Sequence, residues 1–594
     1  MKIKNLSISN WRSIKNVDIE FQDLMIFIGQ NNHGKSNILS ALLFFFGQIN
    51  ADDLDYYMGS DALFVEVTFN ELNDDEKSTF AKYVSSFNTL KIRKFASKSD
   101  GVFYNGYLEQ PDIEWLKKEN ISNYTKREIA NKLPLYKFLP TSGKIKIEDF
   151  NDAQQKYINE NKSVLHFNYV LESSSFMGWK NVVKGMLGEV YYVPSVKKAS
   201  DELGVKGNSI FSQLYSRVIL TMSENNPDYI DAKNKIASLT KVLNKVTDEG
   251  KPNTNRPKEL SALENNLEEE LLSWETKIDV EITPPNVEEI FKVGAKVWVN
   301  DGIKTDIERK GHGLQRAIIF ALIKAWAKTL NVEKEQNSEG QIEDKKSSRK
   351  PSQSSYFIFE EPELYLHPQA QRELFDSLQK LTENGNQVIL CTHSGSFLDL
   401  RMHKSICIVR KENISEGSKI LQCVEELFTA EEEKKLFDMT YWINPDRSEL
   451  FFAKKVILVE GTTEKTVIPL LAQNLGVFKY DYTLVDCGNK DAMPSYIKLL
   501  NKFSLRYAVV YDIDHQEGKT AEQKKYSDDK SKLIEDIICK EHGKSYTFLN
   551  DIEEELGLSP KPKKDKPFKA VKFILSPEFI MKEELKEKIL SIFS

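Results

Sequence analysis

The sequence predicts an α/β fold in two parts, and three observations carry that expectation. Gly29-Gln30-Asn31-Asn32-His33-Gly34-Lys35-Ser36 follows an apolar run and precedes a helical one. Tyr356-Phe357-Ile358-Phe359-Glu360-Glu361 is an apolar strand ending in acids. Two later apolar runs, Lys455 to Val459 and Leu505 to Tyr511, end at Glu460 and at Asp512-Ile513-Asp514. Open α/β sheets bind their ligands at the carboxyl ends of buried strands, where these glycines and acids fall.

The chain as a whole sets bounds on what it can be. Its 594 residues suffice for roughly three or four domains. Hydrophobic content of 40% and charged content of 29% are those of a soluble globular protein, and no apolar run approaches the roughly 20 residues of a membrane span. The N-terminus has no secretory pattern, so a cytoplasmic protein without membrane contact is expected. The five cysteines form no C-x-x-C pair, which argues against a disulfide framework or a zinc ribbon. Net charge is −7, so any nucleic-acid contact is expected from local patches and bound metal, not from a basic coat.

Taken in order, residues 2–28 read as strands Lys2 to Ser9, Asn16 to Phe21 and Leu24 to Ile28, the last feeding the glycine loop. Arg12 lies in the first turn, either reaching a nucleotide or solvated. A triphosphate held by backbone N–H groups needs positions without a side chain, and Gly29 and Gly34 supply them. Lys35 is the cation expected at the β- and γ-phosphates, and Ser36 the hydroxyl expected on Mg²⁺. Asn32 in the loop and Asn37 in the following helix, which is expected to run to Phe46 and stop at Gly47, complete the ATP-contacting set.

From about 60 to 200, short apolar runs alternate with lysine-rich segments, read as further ATPase strands with insertions and given no chemistry. Tyr229, Ala232, Ile236, Leu239, Leu243 and Val246 then recur at helical spacing. After a loop with Pro252 and Pro257, Leu260, Leu263, Leu267, Leu271 and Trp274 do the same. This predicts a helical hairpin with an apolar seam that serves dimerisation or closes on itself. Residues 334–355 are polar and serine-rich, and read as a disordered surface loop.

The strand at Tyr356 to Phe359 has the Walker B form, with Glu360 in the Mg²⁺ shell and Glu361 polarising the attacking water. Upstream, Gly311, Gly313 and Gln315 open an apolar helix, and downstream His393 follows the strand Gln387 to Leu390. In this order the motifs resemble the ABC-type ATPases, which include the SMC, Rad50 and RecF heads. The resemblance implies a dimer in which one protomer's signature loop (Gly311, Gly313, Gln315) closes on the nucleotide held by its partner's Lys35.

In the second part, a glutamate at one parallel strand tip and an aspartate pair at another can converge on one cation, and all-oxygen ligands favour Mg²⁺ or Mn²⁺. This resembles the Toprim domain, with Glu460 matching its glutamate and Asp512 and Asp514 its D-x-D pair. Glu464, one helical turn from Glu460, adds an acid for a second metal; two metals about 4 Å apart serve phosphodiester cleavage. An ABC-type ATPase followed by Toprim resembles the OLD (overcoming lysogenization defect) endonucleases, a family that includes the large nuclease subunit of the Gabija defence system and some retron-associated effectors. That resemblance implies a further acid at Asp551-Ile552-Glu553, with Glu553 taken as the ligand, and a catalytic lysine, taken as Lys566. Lys561, Lys563, Lys564 and Lys569 surround Lys566, so a backbone-binding patch is the alternative. Gly488 and Lys490 occupy a family loop beside the metals and rank below the acids.

The expected layout is therefore an ATPase over 1–204 and 283–426, an arm over 205–282, a link over 427–454 and a Toprim domain over 455–594. The implied partners are DNA, a second copy of the chain, and a defence partner such as a helicase or a reverse transcriptase with its RNA. A topoisomerase would need an added tyrosine domain and a primase a zinc ribbon, neither of which is recognisable. A RecF- or SMC-like DNA clamp is the non-enzymatic alternative.

Overall fold

A computed structural model describes residues 1–117, 120–161, 164–178, 185–195, 226–245, 252–270, 298–322, 325, 352–383, 385–427, 445–516, 518–559, 562 and 564–594. They fall into two compact units, one of Met1–Ser195, Asp344–Leu364 and Pro368–Ser594, the other of Val196–Glu343 with Tyr365–His367.

The larger unit begins with β1 (Lys2–Trp11), β2 (Ile14–Glu20) and β3 (Leu24–Ile28), then β4 (Ala62–Asn70), β5 (Leu90–Ser97), β6 (Gly101–Pro111) and β7 (Phe167–Leu171). All but β3 form an antiparallel sheet in the order β2-β1-β4-β5-β6-β7. Between β6 and β7 the chain builds a small helical core around Phe150. β3 belongs to a second sheet with β8 (Glu189–Val193). The smaller unit contributes a hairpin, β9 (Trp298–Asn300) and β10 (Lys304–Asp306). The second sheet is completed by β11 (Ser355–Glu360), β12 (Gln387–Cys391), β13 (Ile406–Arg410) and β14 (Lys419–Gln422).

That second sheet runs β14-β13-β3-β12-β11-β8 and is parallel except at β14. β3, β11, β12 and β13 are nearly continuous apolar runs because both faces of such a sheet are covered. The helix Lys35–Phe45 shares one core with Leu6, Ile8 and Val65 of the first sheet and Phe27, Ile358 and Ile389 of the second, so it is apolar almost all round.

The same unit ends in β15 (Lys455–Val459), β16 (Tyr482–Asp486), β17 (Tyr507–Asp512) and β18 (Gly543–Phe548), all parallel in the order β16-β15-β17-β18. Helices Thr462–Asn474, Lys566–Ile574 and Glu583–Ile592 close its core against Ile457, Val459 and Val510.

In the smaller unit, helices Pro227–Leu243 and Lys258–Glu270 stand where the hairpin is predicted. Asn253 Nδ2 donates to the carbonyls of Lys241, Val242 and Asn244, capping the first helix, and Arg256 joins the Leu243 carbonyl to the Glu264 carboxylate. Of the predicted seam, Val246, Leu271 and Trp274 lie outside the described residues. Tyr229 is buried, Ala232, Ile236, Leu243 and Leu260 are half-buried, and Leu239, Leu263 and Leu267 are 63%, 49% and 40% exposed.

Three expectations need adjustment. The helix after the loop starts at Lys35, two residues before the predicted Asn37, because Ile38 N already donates to the Gly34 carbonyl. Strand β2 is Ile14–Glu20 instead of Asn16 to Phe21. Most of the stretch read as a disordered loop, 334–351, lies outside the described residues, as does 428–444 of the link, but 352–355 are firmly held. Ser352 Oγ donates to the buried Glu76 carboxylate at 2.5 Å, the same carboxylate pairs with the Met1 ammonium at 2.8 Å, and Ser355 opens β11. Serine-rich composition hides this contact because its partners lie hundreds of residues away in sequence.

Candidate functional site

β3 delivers Gly29 into the loop with φ +142°, where a Cβ would stand 2.2 Å from the Val409 carbonyl oxygen. At Gly34, φ is +103° and a Cβ would stand 2.4 Å from Ser418 Oγ. Both positions therefore require glycine, and Asn32 takes the left-handed region at φ +63°. Lys35 is 6% exposed and its Nζ donates to the carbonyls of Gly29 and Gln30 at 3.0 Å. Burial lowers its pKa against the opposing fields of Cys391, Glu361 and Glu363. Ser36 is exposed, and Asn37 Nδ2 donates to Ser13 Oγ. Arg12 pairs with Asp55 at 2.7 Å.

Glu360, at the tip of β11, accepts from Tyr192 Oη at 2.8 Å. Glu361 has φ +45°, its amide donates to the Cys391 carbonyl, and its Oε1 lies 3.5 Å from His393 Nε2. Burial and then Lys35 depress the His393 pKa, with Glu361 opposing them. Glu363 was not singled out from the sequence. It is 9% exposed, accepts from His393 N at 2.6 Å, and keeps Oε2 without a hydrogen-bond partner among the described residues. Burial raises its pKa. Tyr192 was also missed, since an alternating strand does not say which hydroxyl meets which acid.

In the smaller unit, residues 312–322 are helical. Gln315 Nε2 donates to the Lys310 carbonyl, and His312 stacks on Tyr365 at 4.9 Å. A Cβ at Gly313 would press on the Tyr365 carbonyl at 3.2 Å, while Gly311 is open.

In the C-terminal sheet, β15 and β17 are neighbours, so Glu460 and Asp512 emerge side by side. The Asp512 amide donates to Glu460 Oε2 at 3.3 Å. Glu464 is buried on the following helix, and its Oε2 accepts from Gly461 N at 3.0 Å. Burial, with Glu460 and Glu553 nearby, pushes its pKa up to about 7. Asp512 is pushed further, to about 9, by burial and then by Glu464, Glu460, Asp514 and Asp551; its Oδ1 has no hydrogen-bond partner among the described residues. Asp514 sits at φ +67° and pairs with Lys519 at 2.6 Å.

Glu553, 3% exposed, pairs with Lys566 Nζ at 3.1 Å. Burial alone would lower the Lys566 pKa, but the contact with Glu553 and the fields of Asp551 and Glu464 leave it raised. Asp551 caps the short helix Ile552–Glu555 and accepts from Gln516 Nε2. Lys490 is deeper than its low ranking suggested: its Nζ donates to the Asp512 carbonyl at 2.6 Å and to Ser527 Oγ at 2.9 Å. Gly488 N donates to Asp486. Lys564 and Lys569 are exposed; Lys561 and Lys563 lie outside the described residues.

The structure thus brings Glu460, Glu464, Asp512, Asp514, Glu553 and Lys566 into one neighbourhood. Their ligand atoms are splayed: among the described residues, the one trio of metal-type donors within 4.8 Å of one another is Cys539, Glu541 and His542, on a solvent-facing turn. An all-oxygen donor set with an orphaned, buried Asp512 oxygen suits a hard divalent cation, and the bare glycine loop with Lys35 suits a triphosphate.

A phosphate-loop head followed by a parallel sheet with acids at its strand tips defines an ATPase joined to a Toprim domain. A family model described as "AAA ATPase domain" matches residues 1–398, and one described as "Overcoming lysogenization defect protein-like, TOPRIM domain" matches 451–514. The chain belongs to this AAA ATPase family and carries the OLD-type Toprim domain. The Old nuclease of Escherichia phage P2 is 24% identical over 526 residues, spanning 86% of this chain and 77% of that protein. The endonuclease GajA of Bacillus cereus (strain HuB5-5) is 22% identical over 613 residues, spanning 93% of this chain and 83% of its own. Among solved structures, the Smc head bound to the C-winged helix domain of ScpA aligns with TM-score 0.34 and 14% identity, over 73% of this chain and all of that one. Among the described residues no helix is long and apolar enough to cross a membrane.

Proposed function

We propose that the chain is an ATP-binding, divalent-metal-dependent DNA endonuclease whose nuclease site is regulated by its ATPase. The observation that carries this reading is the placement of Glu460, Asp512 and Asp514 at the ends of neighbouring parallel strands, with Glu464 and Glu553 on nearby helices and Lys566 beside Glu553. The relatives named as nucleases support it.

In this reading the five carboxylates hold Mg²⁺ or Mn²⁺, which when bound supplies polarisation of water and of the scissile phosphate. Asp512 and Glu464, raised to about 9 and about 7, would each have to give up a proton for a cation to be held. Lys490 and Ser527 fix the backbone carbonyls of Asp512 and Ile513, so the D-x-D pair keeps its aim. Lys566 stays protonated beside Glu553 and would neutralise charge that develops on the scissile phosphate.

In the head, Gly29, Asn32, Gly34, Lys35, Ser36 and Asn37 hold the ATP phosphates, and Glu360 joins the Mg²⁺ shell with Ser36. Glu361, supported by His393, orients water. Gly311, Gly313 and Gln315 act on the nucleotide of a second copy, so the ATPase works as a homodimer. The exposed leucines of the hairpin support a role in that assembly. The working context is cytoplasmic anti-phage defence, alone or with a helicase or a reverse transcriptase and its RNA.

The test is cleavage of supercoiled plasmid in Mg²⁺ and in Mn²⁺. Wild type is expected to nick or cut, and Asp512→Ala to lose at least about 100-fold of the rate. Equal cutting by Asp512→Ala would remove the nuclease assignment.

A further inference from the structure

A cavity of about 400 Å³ lies in the larger unit between the outer flank of the phosphate loop and the lead-in to β15. Gln30 and His33 line one side, and the stretch Phe451 to Lys454 with Arg506 lines the other. Gly29 of the phosphate loop also lines it, whereas Lys35, Ser36, Glu360, Glu361 and His393 do not, so the cavity backs onto the loop on the flank away from those side chains.

Its charge is lopsided. Arg410, Lys411, Lys454 and Arg506 line it against a single carboxylate, Glu412, and Glu412 is already engaged by Arg506 at 3.1 Å. Arg410 is the most telling of the four. Its guanidinium has five N–H donors, and among the described residues its one hydrogen bond runs from Nη2 to the Ala453 carbonyl at 2.6 Å. Burial, with Arg506 adding to it, depresses its pKa to about 10. A cation held under-bonded in a cavity gains most from an anion that takes its free donors. Ile408 and the half-buried Phe452 supply an apolar wall beside the charges.

We propose that this cavity is a second nucleotide site, taking a nucleoside phosphate whose phosphates meet Arg410, Lys411 and Arg506 and whose base packs on Phe452. The volume suits one mononucleotide. An occupant would touch both domains of the unit. Val409 abuts Gly29 of the loop, Arg410 binds the Ala453 carbonyl, and Gln30 Nε2 donates to the Phe452 carbonyl at 3.4 Å, seven residues before β15 ends at Val459. Nucleotide would thereby be sensed beside the Toprim domain as well as in the head. This deepens the regulatory part of the proposed function and does not depend on nuclease activity.

The test is the stoichiometry of radiolabelled ADP bound to the full chain at equilibrium, with inorganic pyrophosphate as a second ligand. Wild type is expected to bind two ADP per chain, and Arg410→Met/Arg506→Gln one, with ATP hydrolysis kept. Lys411→Gln/Lys454→Gln, on the accessible rim, is expected to weaken one of the two sites about tenfold or more, which keeps the test valid if the first variant folds poorly. One ADP per chain in wild type, two unweakened sites in the rim variant, or pyrophosphate but no ADP in the second site would each overturn the proposal.

Discussion

Asp512 has a carboxyl pKa of about 9 in the folded chain, against about 3.9 for a free aspartate. The folded state therefore holds a proton that the unfolded state releases above about pH 4, and the stability this contributes is lost as pH rises towards 9. With chelator present, the melting temperature of wild type is expected to fall between pH 6 and 9, and that of Asp512→Asn to fall less and lie higher at pH 8. Added Mg²⁺ or Mn²⁺ should restore wild type more strongly at pH 8 than at pH 6, because binding displaces the proton. A melting temperature that does not change with pH in chelator would contradict the buried, like-charged environment. Lys566 poses a complementary case. Lys566→Met leaves Glu553, 3% exposed, without its cation, and should cost about 1–3 kcal/mol in urea unfolding while Lys566→Arg recovers most of it. How much of the site is legible in sequence divides at this scale. Glu460, Asp512 and Asp514 stand out because they follow or end apolar strands, Glu464 through its helical spacing from Glu460, and Glu553 only through the resemblance to the OLD family. Glu363, Tyr192 and the depth of Lys490 could not, because each is defined by what it touches and no local pattern encodes a long-range hydrogen bond.

At the scale of elements, the strands buried on both faces were the easiest to read. β3 falls on Leu24 to Ile28 as expected because nothing but an apolar run survives in that position. Residues 352–355 depart from the disordered loop expected of 334–355 for the opposite reason: a serine-rich segment is held by Glu76 and the Met1 ammonium, partners the local text cannot supply. The loop joining β3 to its helix makes a sharp demand. Gly29→Ala would set a Cβ 2.2 Å from the Val409 carbonyl at φ +142°, so ATP binding should weaken more than tenfold even though one methyl group is added. Isothermal titration checks this, and wild-type affinity in the alanine variant would show that the loop relaxes freely.

At the scale of the whole molecule, the proposed function pairs two chains at the ATPase and keeps phosphodiester cleavage in a separate domain. The hairpin illustrates what sequence can and cannot carry: helical spacing disclosed the seam, but only exposure distinguishes a seam closed within the chain from one left open. Leu263→Asp/Leu267→Asp should shift the chain towards monomer by analytical ultracentrifugation with little change in melting temperature, since both leucines are substantially exposed. An unchanged assembly would take the described part of the hairpin out of the interface. The central claim is that one chain carries two chemically separate active sites. The most direct measurement sets Lys35→Ala beside Asp512→Ala, with ATP hydrolysis and metal-dependent plasmid cleavage recorded for each. Lys35→Ala is expected to lose hydrolysis, its cutting in Mg²⁺ or Mn²⁺ reading out whether ATP gates or restrains the nuclease, and Asp512→Ala is expected to hydrolyse ATP and not to cut. Cutting by Asp512→Ala at the wild-type rate, or loss of ATP hydrolysis by Asp512→Ala while it remains folded, would contradict two separate sites.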